Sequence, residues 1–203
     1  RREAQEACRT QYLSQLCPGD VIDARVTHLE SFGAFVDIGC GVPSLIPIDA
    51  ISVSRIDHPR ERFAPGMDIR AVVRAIDAEG RICLSHKELL GTWAQNAALF
   101  RPGETVAGIV RSIEEYGIFV ELLPNLAGLA EYRPDITVGQ ICAVYIKNIV
   151  PERMKIKLVL IDACPGTALP PTRKYFIDQS RVTHIDRWLY SPPGCAKIIE
   201  TVF

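Results

Sequence analysis

Two aromatic pairs have the spacing to do chemistry: Phe32 and Phe35 flank Gly33-Ala34, and Tyr116 and Phe119 flank Gly117-Ile118. Ala34, Val36 and Ile38 alternate with Phe35. Along a strand, that alternation sends Phe35 to the outer face while the aliphatic residues enter a core. A glycine between the rings permits a bulge or sharp twist that brings Phe32 to the same side. Two exposed rings on one face make a platform for bases, each stack worth about 1–3 kcal/mol. Further along, Arg153, Lys155 and Lys157 alternate on one predicted strand face and supply cations for phosphates. Nothing else in the chain suggests reactive chemistry. His28, His58, His86 and His184 are isolated in sequence, and no two of the seven cysteines form a CxxC pair. Gly39-Cys40-Gly41 lacks the third glycine and following helix of a dinucleotide loop and reads as a turn. With no nucleophile–base or metal-ligand constellation, the chain is expected to be a non-catalytic binder without cofactor or small-molecule substrate.

The elements that position these residues come in two copies. Pro18-Gly19-Asp20-Val21 recurs in Pro102-Gly103-Glu104-Thr105-Val106, and Ser31 to Val36 recurs as Glu115 to Val120, both at an offset of 84 residues. Pro65 to Ile69 then corresponds to Thr137 to Ile141, with Gly66 and Gly139 at an offset of 73, so the second copy is 11 residues shorter in its middle. In the first copy, Val21 to Leu29 alternates until the phase slips near Thr27. Ala34 to Ile38 alternates up to the Gly39-Cys40-Gly41 break, and Ser44 to Ile46 is a short strand ended by Pro47. Ile69 to Ile76 and Arg81 to Leu84 are joined by the turn 77–80. Five strands in so short a span leave no room for crossover helices, which predicts an antiparallel barrel of the OB type. The fold class expected is mainly β: two tandem five-stranded antiparallel OB-fold barrels joined by a helical linker.

An N-terminal helix (1–17) is expected before the first barrel (18–85), with Ala4, Cys8 and Tyr12 along one face. The linker (86–101) carries two capping-box signatures, Ser85 to Glu88 and Thr92 to Gln95. Leu89, Trp93 and Ala97 fall on one face that would pack on a barrel. The second barrel (102–163) is followed by a C-terminal β extension (164–203) with three short strands: Tyr175 to Ile177, Arg181 to Tyr190 and Lys197 to Phe203. In that extension, the aromatics of Arg187-Trp188-Leu189-Tyr190 are expected to pack rather than bind.

Composition narrows the function classes. A net charge of −1, from 23 basic and 24 acidic residues, argues against gripping duplex DNA by phosphate neutralisation. It leaves open a protein that stacks bases with only local positive charge. No apolar run approaches the roughly 18 residues of a membrane span, and no charged-then-apolar leader opens the chain. The first residue is Arg1 rather than Met, so an upstream segment is expected. The scattered cysteines read as free, buried thiols in a cytoplasmic protein.

The motifs also carry a resemblance. Gly19-Asp20-Val21, Ser31-Phe32-Gly33-Ala34-Phe35-Val36-Asp37, Gly41 to Ile46, Gly66-Met67-Asp68 and Gly80 to Ser85 resemble the S1 RNA-binding domain. This is the OB-fold repeat named after a bacterial ribosomal small-subunit protein. The likeness spans some 70 residues of the first copy and, less specifically, some 60 of the second. In that family two rings, a His after the third strand, an Asp ending the fourth and a basic residue opening the fifth form the nucleic-acid face. The resemblance therefore implies Phe32, Phe35, Asp77 and Arg81 as RNA-binding residues, with Pro47 standing at the His position. In the second copy Tyr116 and Phe119 keep the rings and Lys155 matches Arg81. There the His position falls at Glu131, whose carboxylate would repel phosphate, and the Asp position at Val150. The implied function is single-stranded RNA binding with weak sequence preference, in translation, with mRNA or the small ribosomal subunit as partner. Two alternatives stand beside it: a protein-docking module of the same fold, and an accessory fragment of an RNA-processing enzyme.

Overall fold

The computed structural model describes residues 1–39, 41–167, 175–176 and 182–203. Helix α1 (Arg2–Gln15) precedes strands β1 (Val21–Glu30), β2 (Gly33–Asp37), β3 (Pro43–Pro47), β4 (Asp68–Ile76) and β5 (Ile82–Ser85). These close into a barrel of order β1-β2-β3-β5-β4. After a short helix α2 (Trp93–Ala97) come β6 (Thr105–Glu114), β7 (Gly117–Leu123), β8 (Leu126–Ala130), β9 (Gln140–Val150) and β10 (Lys155–Thr167). They close in the same order, so the repeat read from sequence is a repeat of topology. Pairing is antiparallel except between β3 and β5 and between β8 and β10, which run parallel. Strand directions cannot alternate all the way around a ring of five, so one parallel seam is unavoidable.

Alternation places the cores as expected. Val26, Ala34, Val36, Ile46 and Leu84 fill the first barrel, and Val110, Ile118, Val120, Val144 and Ile146 fill the second, all essentially inaccessible. Each Val, Ile or Leu side chain among them contributes about 1.5–3 kcal/mol by leaving water. The phase slip near Thr27 is a break in register between Val26 and His28, and the second barrel repeats it between Val110 and Ser112. One extra residue on the strand reverses which face the next side chain meets.

The flanking elements depart from the sequence reading in several places. On α1 it is Leu13, with Leu16 just beyond the helix, that packs on the first barrel; Ala4 and Cys8 are exposed. Cys17, Cys83, Cys142 and Cys195 form no disulfide, but only Cys142 of these is fully buried. Cys8, on an exposed stretch of helix, is disulfide-bonded, so a wholly reduced set is not what forms. In the linker, the Thr92 box is present: Gln95 N–H donates to Thr92 Oγ1 at 3.2 Å and Thr92 N–H to Gln95 Oε1 at 2.9 Å. Ser85 instead ends β5, and a 3-10 turn at Lys87–Leu90 follows without a side-chain cap. Gly91, at φ +94°, breaks the helical period there. Leu89 consequently packs on the first barrel beside Val21 and Val72, while Trp93 and Ala97 enter the core of the second.

Two strands rather than three are found among the described C-terminal residues: β11 (Arg187–Leu189) pairs with β12 (Glu200–Val202). Tyr175 and Phe176 lie outside any strand, and Ile177 and Arg181 fall outside the described residues. The segment straps both barrels. Trp188 and Tyr190 are buried in the second core, whereas Tyr175, Ile185 and Phe203 pack against Val21 and Val72 of the first and Leu89 of the linker. Ile185 N–H donates to the Gly19 carbonyl at 2.8 Å, and His184 sits between Asp20 (2.7 Å) and Asp186 (2.8 Å).

The barrels also meet directly. Arg62 and Glu121, 4% and 1% exposed, form a two-point ion pair, with one N–H···O bond of 2.8 Å. Arg111 adds a third contact to Glu121 at 3.1 Å and approaches Glu61 at 3.5 Å. Asn125, fully buried, accepts from Val53 N–H (2.9 Å) and donates to the Lys87 and Gly91 carbonyls (both 2.8 Å). Every principal hydrogen-bonding atom of that amide is used, which ties its barrel to three backbone points across the junction.

Candidate nucleic-acid interface

The rings meet as their spacing implies. Phe32 and Phe35 lie edge to face with centroids 5.8 Å apart, and Tyr116 and Phe119 do the same at 6.1 Å. Phe32 is 54% exposed and Tyr116 69%, while Phe35 and Phe119 are half-buried at the foot of each pair. The glycine between them acts differently from expectation. A Cβ on Gly33 would lie 2.4 Å from the Ile46 carbonyl oxygen, and one on Gly117 2.6 Å from that of Ala130. These glycines let the neighbouring strand approach; the bulge is on β1 and β6, not here.

Cross-strand pairing sets what surrounds the rings. Around the first barrel one row reads His28, Phe35, Leu45, Cys83, Ala75. The equivalent row of the second reads Ser112, Phe119, Leu129, Lys157, Asn148. His28 stacks on Phe35 with centroids 6.2 Å apart, adding a third ring to the face. Sequence reasoning passed it over, although the slip at Thr27 was the available signal, since one extra residue turns His28 to the side of Phe35.

A groove of about 400 Å³ brings Phe35 together with Leu45, Cys83, Asp77 and Arg81. Within it Arg81 is not a free cation. Its guanidinium donates to Asp77 at 2.7 Å and to Glu79 at 2.9 Å, and its backbone N–H donates to Asp77 at 2.7 Å. Asp77 is held below the usual carboxylate range chiefly by that backbone N–H, with the guanidinium adding to the effect. Its hydrogen bonds to Asp77 and Glu79 hold the guanidinium proton more tightly in turn. Burial pushes the Cys83 thiol up, away from nucleophilic chemistry. Pro47 is half-buried and pairs with Gly33, closing the ladder where the family has its His.

In the second barrel Lys155 and Lys157 point outward from β10 and make no ion pair among the described residues. Lys157 shares the row of Phe119, two strands away across Leu129, roughly 10 Å at normal strand spacing. Arg153 is exposed but does not sit on the strand. It belongs to the 3-10 turn Pro151–Arg153, and Met154 in the left-handed region (φ 49°) redirects the chain into β10. Val150 pairs with Lys155 at the turn, and Glu131 is exposed just past β8. Among the described residues no group of three His, Cys, Asp or Glu side chains could hold a metal.

The family model of the S1 RNA binding domain matches residues 16–87, the span of β1 to β5. The chain contains a domain of that family. It is 33% identical over 166 residues to the small ribosomal subunit protein bS1 homolog of Bacillus subtilis, a match covering 79% of this chain and 42% of the relative. To bS1 of Staphylococcus aureus (strain COL) it is 36% identical over 130 residues, covering 63% of the chain and 33% of the relative. The chain thus spans less than half the length of these curated relatives. Among solved structures, GSP13 from Bacillus subtilis matches at 29% identity with a TM-score of 0.34, over 35% of this chain and 55% of that one. The B. subtilis bS1 match is longer than one S1 barrel, in keeping with a second barrel that repeats the first. No helix among the described residues is long and apolar enough to cross a membrane.

Proposed function

We propose that this chain binds single-stranded RNA through the outer faces of its two S1 barrels, in the cytoplasm and in translation, with mRNA or the small ribosomal subunit as partner. The observation that carries the reading is the pair of edge-to-face aromatic platforms, each with an exposed outer ring. Phe32, Phe35, Tyr116 and Phe119 stack bases; Lys155, Lys157 and Arg153 meet phosphates; Asp77 and Arg81 border the first groove. Kinship to bS1 proteins supports the translational setting. The test is fluorescence anisotropy of a labelled single-stranded RNA of about a dozen nucleotides, at low and physiological salt. Binding that collapses when all four rings become Ala supports the proposal. Absence of binding at low salt, or binding indifferent to the rings, overturns it.

A specific observation favours a second reading for the first barrel alone. Its groove is lined mainly by Phe35, Pro43, Leu45, Ile82 and Cys83, and the cation within that lining, Arg81, is spent on Asp77 and Glu79. An apolar side chain of a protein partner suits that surface as well as a base does. Under this reading Phe32→Ala with Phe35→Ala leaves RNA affinity unchanged but abolishes capture of a ribosomal protein partner.

A further inference from the structure

Beside the second aromatic pair lies a groove of about 440 Å³ that the second barrel does not build alone. Ser54, Arg55 and Asp57, from the segment after β3 of the first barrel, line it together with Glu114, Tyr116 and Phe119. That segment is held in place. Val53 N–H donates to Asn125 Oδ1 at 2.9 Å, Ser54 N–H to the Pro124 carbonyl at 3.1 Å, and Ser52 Oγ to the Ser54 carbonyl at 2.8 Å. The buried Arg62–Glu121 pair clamps the same junction. The groove is therefore preformed, with one wall from each barrel.

Its charges point away from phosphate. Arg111 lies in the lining, but its guanidinium faces Glu121 and Glu61. What remains unpaired among the described residues is one cation, Arg55, and two carboxylates, Asp57 and Glu114, all three exposed. A phosphate there would meet more negative than positive charge. A base edge carrying an amino group would not: its N–H donors suit the carboxylates, and its ring nitrogen or carbonyl suits the guanidinium. We infer that this inter-barrel groove reads the base stacked on Tyr116 and Phe119, and selects one with an exocyclic amine over uracil. The inference rests on the RNA-binding reading and adds base selectivity to it. Cytosine and uracil make the sharpest comparison, because they share a ring size and differ at the 4-position and N3. Cytosine presents an amino donor for Asp57 or Glu114, and its N3 and O2 accept from Arg55; uracil presents a carbonyl to the carboxylates instead. Phosphates of the same strand fall to Lys155, Lys157 and Arg153 beyond the rings.

The experiment compares labelled oligo-C and oligo-U of equal length on the whole chain at one salt concentration. Oligo-C should bind tighter by about fivefold or more, the lower end of what one good polar base contact supplies. In the Asp57→Ala, Glu114→Ala double variant the ratio should fall to near one. Both side chains are exposed, so the variant keeps the fold, and its thermal unfolding should match the parent. Arg55→Ala should weaken oligo-C more than oligo-U. Equal affinities in the parent chain, or a preference that survives the double variant, would overturn the inference while RNA binding stands. Failure to bind either oligonucleotide removes the RNA-binding reading itself, and the inference with it.

Discussion

The two barrels share strand order, core pattern, bulge position and aromatic pair, yet their outer faces differ in which charges are available. In the first, the turn after β4 places Asp77 and Glu79 around Arg81, and the guanidinium is neutralised where it stands. In the second, the equivalent turn carries Pro151 to Arg153 and Met154, and Lys155 and Lys157 make no ion pair among the described residues. The same platform thus borders an apolar groove in one copy; in the other it lies between a groove with two exposed carboxylates and lysines two strands away. Surface charge is set by a few turn residues that cost the fold little, so duplicated barrels can diverge in binding while their cores stay alike.

The largest effect should come from the junction that holds the two faces in one molecule. Glu121→Ala leaves Arg62 buried without its partner and should cost about 3–5 kcal/mol of stability. Urea unfolding would reveal it as a lowered midpoint, and a midpoint equal to the parent's would sink the clamp. Next, the Tyr116→Ala, Phe119→Ala variant should lose more RNA affinity than Phe32→Ala, Phe35→Ala, by about 1–3 kcal/mol per stacked base. Equal losses measured by anisotropy would erase the functional difference between the barrels. A smaller effect comes from charge alone. Asp77→Asn with Glu79→Gln should free Arg81 and steepen the log–log salt slope of binding by about 0.7, whereas Lys155→Gln with Lys157→Gln should flatten it by about 1.4. A salt titration that leaves both slopes unchanged would remove phosphate contact from this face.

The smallest effect concerns the C-terminal strap. His184 is raised above the ordinary imidazole range by hydrogen bonds to Asp20 and Asp186. Because its folded value exceeds its unfolded one, its contribution is fully present below the unfolded value of about 6.5 and is lost as pH climbs through the raised value. His184→Asn should therefore lower the melting temperature slightly at pH 6 and not at pH 9. A difference that grows toward alkaline pH would reverse the assignment.

Local pattern in the sequence was enough for much of this. Period-two alternation through Ala34, Val36 and Ile38 named the core and sent Phe35 outward, and the 84-residue offset declared a second barrel. The rings at Phe32, Phe35, Tyr116 and Phe119 were legible because a strand encodes its two faces in consecutive residues. Three things were not written locally. Arg81 could not be seen to be neutralised, since that depends on side-chain geometry within a turn. The helical spacing of Leu89, Trp93 and Ala97 suggested a single face, but Gly91 divides it between two cores. Nor did any pattern announce that Arg55 and Asp57 would stand beside Tyr116, or that Arg62 would find Glu121 59 residues away. Alternation is a property of neighbours along the chain, so sequence alone determined the barrels and their platforms. The junction, the strap and the charges left free to bind come from contacts between distant residues, and only the tertiary structure decided them.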